Sequence, residues 1–126
     1  MSQDIVADGI NTIMNAIKAG KKEIVLTKYS KVLISVLEIA KKYNYLEDYK
    51  LNEKEKQLTI KIAKINKCNA IKPRFYTKSE GLEKYVRRYL PSRNFGILII
   101  STNRGLITHL EAYEKKIGGS LIAYFY

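Results

Sequence analysis

Four aliphatic residues in a row, Ile97, Leu98, Ile99 and Ile100, constrain this chain more than any other stretch. An apolar run of strand length without polar alternation is expected of a strand buried on both faces. It stops at Ser101-Thr102-Asn103-Arg104-Gly105, which supplies hydroxyls, an amide, a guanidinium and a glycine hinge and reads as a polar loop. Thr108 stands three residues before Glu111, the spacing of a capping box, and predicts a helix from His109. Gly118 suits the left-handed position that ends such a helix, and Gly119 the turn after it. Leu121 to Tyr126 is apolar and aromatic, as a closing strand would be. A polar loop and a Gly-Gly turn, both hung on buried strands, would present one rigid surface of small residues to a partner.

The 126 residues permit one domain or two small ones. Lys and Arg number 23 against 12 Asp and Glu, a net charge of +11, which argues for a polyanion or an anionic membrane surface. The excess is uneven. Residues 1–63 carry 11 basic and 8 acidic side chains, net +3, and residues 64–126 carry 12 and 4, net +8. The surplus thus accompanies the polar loop and the Gly-Gly pair.

Earlier in the chain, Val6, Ile10, Ile13, Met14 and Ile17 recur at helical spacing over Ile5 to Ala19, with Asp4 as a cap and Gly20 as a stop. Asn11, Asn15 and Lys18 share the opposite side, which spacing alone reads as a solvated face. Glu23 to Thr27 forms a short strand. Ser30 caps a second helix reaching Tyr43, with Val32, Leu33, Val36, Leu37, Ile39 and Ala40 on a wide apolar face. The free N–H groups of its first turn, beside Lys31, suit a phosphate, although capping alone accounts for Ser30. Asn44 takes the left-handed position after it. Tyr45 to Leu51 and Gln57 to Ile65 are strands around a charged turn, Leu58, Ile60 and Ile62 alternating with Thr59 and Lys61. Two helices on one face of a three-stranded sheet would make a compact first domain, residues 1–65.

From Asn66 the character changes. Lys67, Lys72 and Arg74 recur among small and polar residues, and Pro73 disfavours a central strand. Residues 79–90 predict a short helix with Lys84, Arg87 and Arg88 on one side and Leu82, Tyr85, Val86 and Tyr89 on the other. The fold class is therefore α+β: N-terminal helices on a small three-stranded sheet, then a mainly β C-terminal domain, residues 66–126, with short helices.

Catalysis finds little support. His109, Glu111 and Ser101 do not converge, because residues 109 and 111 point to different sides of a helix start. The chain has no nucleophile elbow, P-loop or dinucleotide fingerprint. Cys68 and His109 are single residues of their kind, so neither an internal disulfide nor a metal site is expected, and no cofactor. No stretch is long and apolar enough for a bilayer, the N-terminus lacks a secretory pattern, and a reduced cytosolic protein is expected. Residues 79–90 are the one amphipathic candidate for a membrane surface, but their Leu and Tyr side chains serve a core better. RNA explains more: cations neutralise phosphates, and Ser, Thr and Asn can bond 2′-hydroxyls and base edges in the shallow minor groove. Glycines at 105, 118 and 119 would let backbone approach sugar and phosphate, although a turn or cap explains each singly.

The string IISTNRGLITHLEA followed by IGGSLIAYFY resembles the C-terminal signature of the S-eight family of universal small-subunit ribosomal proteins. That signature runs Ser-Thr-Ser-x-Gly, Thr, a Glu-Ala pair, Gly-Gly with a charged residue, and an aromatic end. Asn103 replaces the third hydroxyl, and Ser120 stands where a charged residue is usual. DIVADGINTIMNAIKAGKK and YSKVLISVLEIAKKYNYL resemble the family's opening helices, and INKCNAIKPRF its archaeal and eukaryotic branch, an archaeal source being expected. The resemblance implies a non-enzymatic, cytoplasmic component of the ribosome. It would bind the central domain of small-subunit rRNA, stabilise that fold during assembly and meet neighbouring small-subunit proteins, with no membrane and no small-molecule substrate. It implies RNA contacts at Ser101, Thr102, Asn103, Arg104, Gly105, Gly118, Gly119 and Ser120. The basic residues Lys72, Arg74, Arg87 and Arg88 would add phosphate contacts, and Ser30, Lys31, Asn11 and Asn15 would meet a neighbouring rRNA helix. The alternatives are a translational repressor binding its own messenger and a freestanding basic RNA-binding protein.

Overall fold

The structure is a computed structural model that describes residues 5–71, 76–91 and 95–126. The chain divides into two compact units, Met1–Asn69 and Ala70–Tyr126. The first begins with helix α1 (Ile5–Lys18), which buries Val6, Ile10 and Ile13 as expected, together with Ala16, while Met14 and Ile17 are only half-buried. Each fully buried Ile contributes about 1.5–3 kcal/mol. The helix stops as the sequence suggests. Gly20, at φ +75°, donates to Ile17 O, and Lys21 donates to Ala16 O, the paired closure of a left-handed C-terminus.

Strand β1 (Glu23–Leu26) leads to helix α2 (Lys31–Lys42), which Ser30 caps by accepting the Leu33 N–H at 3.2 Å. Leu33, Val36, Leu37 and Ala40 are buried, but Val32 is 40% exposed and does not belong to the apolar face. At the first turn a hydrophobic period cannot tell an inward position from its neighbour. Asn44 has φ +68°, as anticipated. Strands β2 (Leu46–Asn52) and β3 (Gln57–Ile62) complete an antiparallel sheet of order β1-β3-β2. Strand β3 ends three residues before the expected Ile65. Leu58, Ile60 and Ile62 are buried, while Lys61 is exposed.

The second unit is built on a five-stranded sheet whose first strand spans the boundary between the units. Its strands are β4 (Cys68–Ala70), β5 (Tyr76–Thr77), β6 (Ile97–Thr102), β7 (Gly105–Thr108) and β8 (Gly119–Phe125). The order is β4-β8-β6-β7, with β5 also paired to β8. Ile97 to Ile100 are none more than 2% exposed, so the run is buried on both faces as expected. Helices α3 (Leu82–Tyr89) and α4 (His109–Lys115) bring Leu82, Val86 and Ala112 onto Leu98, Ile100 and Leu121. Thr108 caps α4 by accepting the Glu111 N–H at 3.4 Å. The architecture is α+β, with helices over a three-stranded sheet and then a mainly β part.

Candidate nucleic-acid interface

Residues 101–105 are not a loop but the end of a hairpin. Ser101 and Thr102 close β6, Gly105 opens β7, and only Asn103-Arg104 turn. Strand β7 is four residues long, too short to announce itself by alternation. Gly105 has φ +106° with open space where a Cβ would stand, and neither Asn103 nor Arg104 has positive φ. The positive φ of Gly105 thus lets a two-residue turn rejoin the ladder with Thr102 directly opposite Gly105. The Thr102 hydroxyl donates to Gly105 O at 2.8 Å and accepts the Arg104 N–H at 3.1 Å. Its proton is committed to the tip, which it holds in shape. Asn103 and Arg104 are exposed.

Register then gathers the second half of the site. Ser101 of β6 lies opposite Leu106 of β7 and opposite Ser120 of β8, and Ser120 lies opposite Tyr76 of β5. Directly opposed residues of antiparallel strands share a face. Tyr76, Ser120, Ser101 and Leu106 therefore make one row across four strands. The serines are half-buried and Tyr76 is 69% exposed. Sequence reasoning did not single out Tyr76, because a two-residue strand carries no period; an aromatic just after the basic segment was the only signal.

The two adjacent glycines have another role than expected. The left-handed cap of α4 is Lys116, at φ +56°, not Gly118. Gly118 and Gly119 do not form a turn with positive φ; Gly119 begins β8. A Cβ on Gly118 would meet Lys78 Cα at 2.7 Å, and one on Gly119 would run into the Ser101 carbonyl oxygen and meet Ile100 Cγ2 at 2.8 Å. The chain itself fills both spaces. These glycines let β8 lie tightly on its neighbours, which fixes Ser120 beside Ser101.

Arg87 and Arg88 lie in the last turn of α3. Arg87 donates to Glu83 at 2.9 Å, an exposed pair, and the Arg88 guanidinium lies 5.7 Å from the centre of the Tyr89 ring. Lys72 and Arg74 lie outside the described residues. In the first unit, Asn11 and Asn15 are exposed one turn apart on α1, while Ser30 and exposed Lys31 stand at the start of α2. Ser30 is occupied as a cap, so Lys31 is the freer group of that pair.

The reactive candidates are structural. His109 is 0% exposed and its Nδ1 accepts the Leu98 N–H at 3.2 Å. Cys68 is buried, its Sγ 3.8 Å from Ile10 O, and burial pushes its thiol up to about 12. Among the described residues, no cluster of three His, Cys, Asp or Glu could hold a metal ion, and no helix is long and apolar enough to cross a membrane.

The family model described as ribosomal protein S8 matches residues 4–126. The chain belongs to the ribosomal protein S8 family. It is 42% identical over 129 aligned residues to small ribosomal subunit protein uS8 of Thermoplasma acidophilum, and 44% identical over 129 to that of Nanoarchaeum equitans, with all of each chain covered. Protein uS8A of Schizosaccharomyces pombe is 35% identical over 127 residues, 98% of both chains. The family's archaeal and eukaryotic branch is thus the right one. Its two departures from the resembled signature now have places. Asn103 projects from the hairpin tip, and Ser120 stands on the outward row between Ser101 and Tyr76. A charged side chain at 120, where the resembled signature would put one, would leave that same face.

Proposed function

We propose that this protein is a structural constituent of the small ribosomal subunit that binds the central domain of small-subunit rRNA directly and stabilises that fold during assembly. The observation that carries the reading is the meeting of the hairpin tip with β8: Ser101 faces Ser120 in register, beside exposed Tyr76, Asn103 and Arg104. A preformed surface of hydroxyls, an amide and a ring, in a half of the chain with net charge +8, fits the contour of an irregular RNA minor groove. Thr102 shapes the tip, Asn103 and the serines bond 2′-hydroxyls or base edges, and Gly105 leaves backbone accessible. Gly118 and Gly119 act by placing Ser120. Arg104, Arg87, Arg88, Lys72 and Arg74 neutralise phosphates. Lys31, Ser30, Asn11 and Asn15 meet a neighbouring rRNA helix from the first domain, residues 1–65, and residues 66–126 form the gripping domain. The protein works in the cytoplasm, within the ribosome and beside other small-subunit proteins. It performs no catalytic step and needs no cofactor.

The test is chemical footprinting on total small-subunit rRNA. One discrete protected region, persisting at raised salt, is expected, and Asn103→Ala should lose specific binding more than non-specific binding. Protection scattered over unrelated helices would remove the basis of the reading.

A further inference from the structure

At the other end of the C-terminal sheet from the hairpin tip, four aromatic rings form a ladder. The end is set by register: Ile97 pairs with Phe125 there, whereas Ser101 pairs with Ser120 near the tip. At a strand rise of about 3.3 Å per residue, the two ends lie roughly 13 Å apart. Tyr89 stacks on Tyr124 with centroids 5.3 Å apart, and Tyr124 stacks on Tyr126 at 6.1 Å and 12°. Phe95 follows at 6.4 Å from Tyr126, tilted by 53°. The guanidinium of Arg88 lies 5.7 Å from the centre of the Tyr89 ring, at that end of the series.

The opposite end is open. Tyr124 is 7% exposed and has a ring on either side, but Phe95 is 48% exposed with Tyr126 as its ring neighbour. The backbone beside Phe95 is pinned, because Gly96 packs so closely that a Cβ would meet Phe125 O at 2.7 Å and Tyr126 Cβ at 2.8 Å. A phenyl group is thus presented on a fixed support. Helix α3 supplies the electrostatics: Lys84, Arg87 and Arg88 project from it, and its acid, Glu83, is engaged by Arg87. A ladder with an accessible ring at one end and the cations of α3 at the other matches a single-stranded nucleic acid several nucleotides long, whose phosphates meet the cations while an unstacked base meets the ring. A continuous duplex offers no free base face, and the one acid on α3, Glu83, is already paired with Arg87 rather than free for a basic protein tail.

We propose that Phe95 stacks on one unpaired base of the small-subunit rRNA, lengthening the aromatic ladder, while α3 holds the flanking phosphates. The proposal rests on the rRNA-binding reading and adds a second contact remote from the tip. Because the ladder is already assembled, little ordering accompanies binding.

The experiment compares wild type, Phe95→Leu, Phe95→Trp and Asn103→Ala on transcribed small-subunit rRNA, by filter binding and by chemical probing of unpaired bases. Phe95→Leu should weaken binding roughly 5- to 150-fold, the range for one stacked base. It should also release one protected unpaired base and leave the salt slope and the unfolding midpoint unchanged. Phe95→Trp should restore both affinity and protection. If Phe95→Leu binds like wild type with the same footprint while Asn103→Ala is impaired, the proposal is wrong and the rRNA reading stands. It is equally wrong if Phe95→Leu keeps its RNA affinity but fails to recruit another small-subunit protein in reconstitution, since the ring then serves a protein contact. Failure of wild type to select small-subunit rRNA would overturn the underlying reading, and this proposal with it.

Discussion

Gly119→Ala separates two explanations of the adjacent glycines. If they exist for the close approach of RNA, the free protein should tolerate a methyl group. The structure says otherwise. The new Cβ would collide with the Ser101 carbonyl oxygen, stand 3.0 Å from Ser101 C and lie 2.8 Å from Ile100 Cγ2. Two of those atoms are backbone and cannot rotate aside, so β8 must withdraw from β6. Inserting one carbon into a packed interior costs about 1–3 kcal/mol, and loosening a ladder hydrogen bond adds about 1. A loss near 3 kcal/mol should lower the urea midpoint by about 1–3 M for an m-value of about 1–3 kcal/mol/M. Near-ultraviolet circular dichroism, in the absence of RNA, reads it directly. Gly105→Ala is the control: nothing stands within 4 Å of its Cβ, so only its positive φ is strained, at about 1–2 kcal/mol. A Gly119→Ala protein with the wild-type midpoint and a defect confined to RNA binding would refute the packing argument.

The remaining predictions address other parts of the molecule. Burial moves the Cys68 thiol from 9.0 to about 12. Native Cys68 should therefore react with a thiol reagent at pH 8 about a thousandfold more slowly than the unfolded chain, from thiolate fraction alone. Because the folded protein keeps that proton while the unfolded chain ionises, stability should fall as pH rises from 9 toward 12 in a titration of unfolding free energy. Ser30→Ala removes the acceptor of the Leu33 N–H and should cost about 0.5–2 kcal/mol by thermal unfolding. Arg87→Ala with Arg88→Ala should reduce the slope of log affinity against log salt by up to about 2, with preference for the cognate rRNA kept. An unchanged slope would show that neither arginine faces a phosphate.

How much of this was legible depended on the length of each signal. The first unit was readable because α1 and α2 each run through several turns of apolar period and end at residues with one evident use, Gly20 and Ser30. The buried run at Ile97 and the cap at Thr108 were legible for the same reason. Strands β4, β5 and β7 were not, since two to four residues do not make a period. Consequently the polar stretch looked like a loop, and the exposed Tyr76 had no strand to sit on. The adjacent glycines misled for a different reason. Their requirement lies in contacts with Ser101 and Lys78, distant in sequence, and a local rule about helix ends cannot see them. The residue that does end α4, Lys116, is an unfavoured choice for positive φ, so propensity pointed past it.

The site residues then fall into two groups that one sequence motif had merged. Thr102, Gly118 and Gly119 act on the protein: the first ties its hydroxyl to both sides of the turn, and the others allow β8 to close on its neighbours. Asn103, Arg104, Ser120 and Tyr76 are what that closure exposes or aligns. A hydroxyl already donating to Gly105 O has no proton left for a ribose, so substitution at Thr102 should disturb recognition by letting Asn103 wander. Thr102→Ser keeps both bonds and should bind RNA as wild type does, whereas Thr102→Val keeps the shape of the side chain and loses them. Equal RNA affinity for the Ser and Val variants would mean that the tip needs no internal tie, and the division between supporting and contacting residues would fail at its first member.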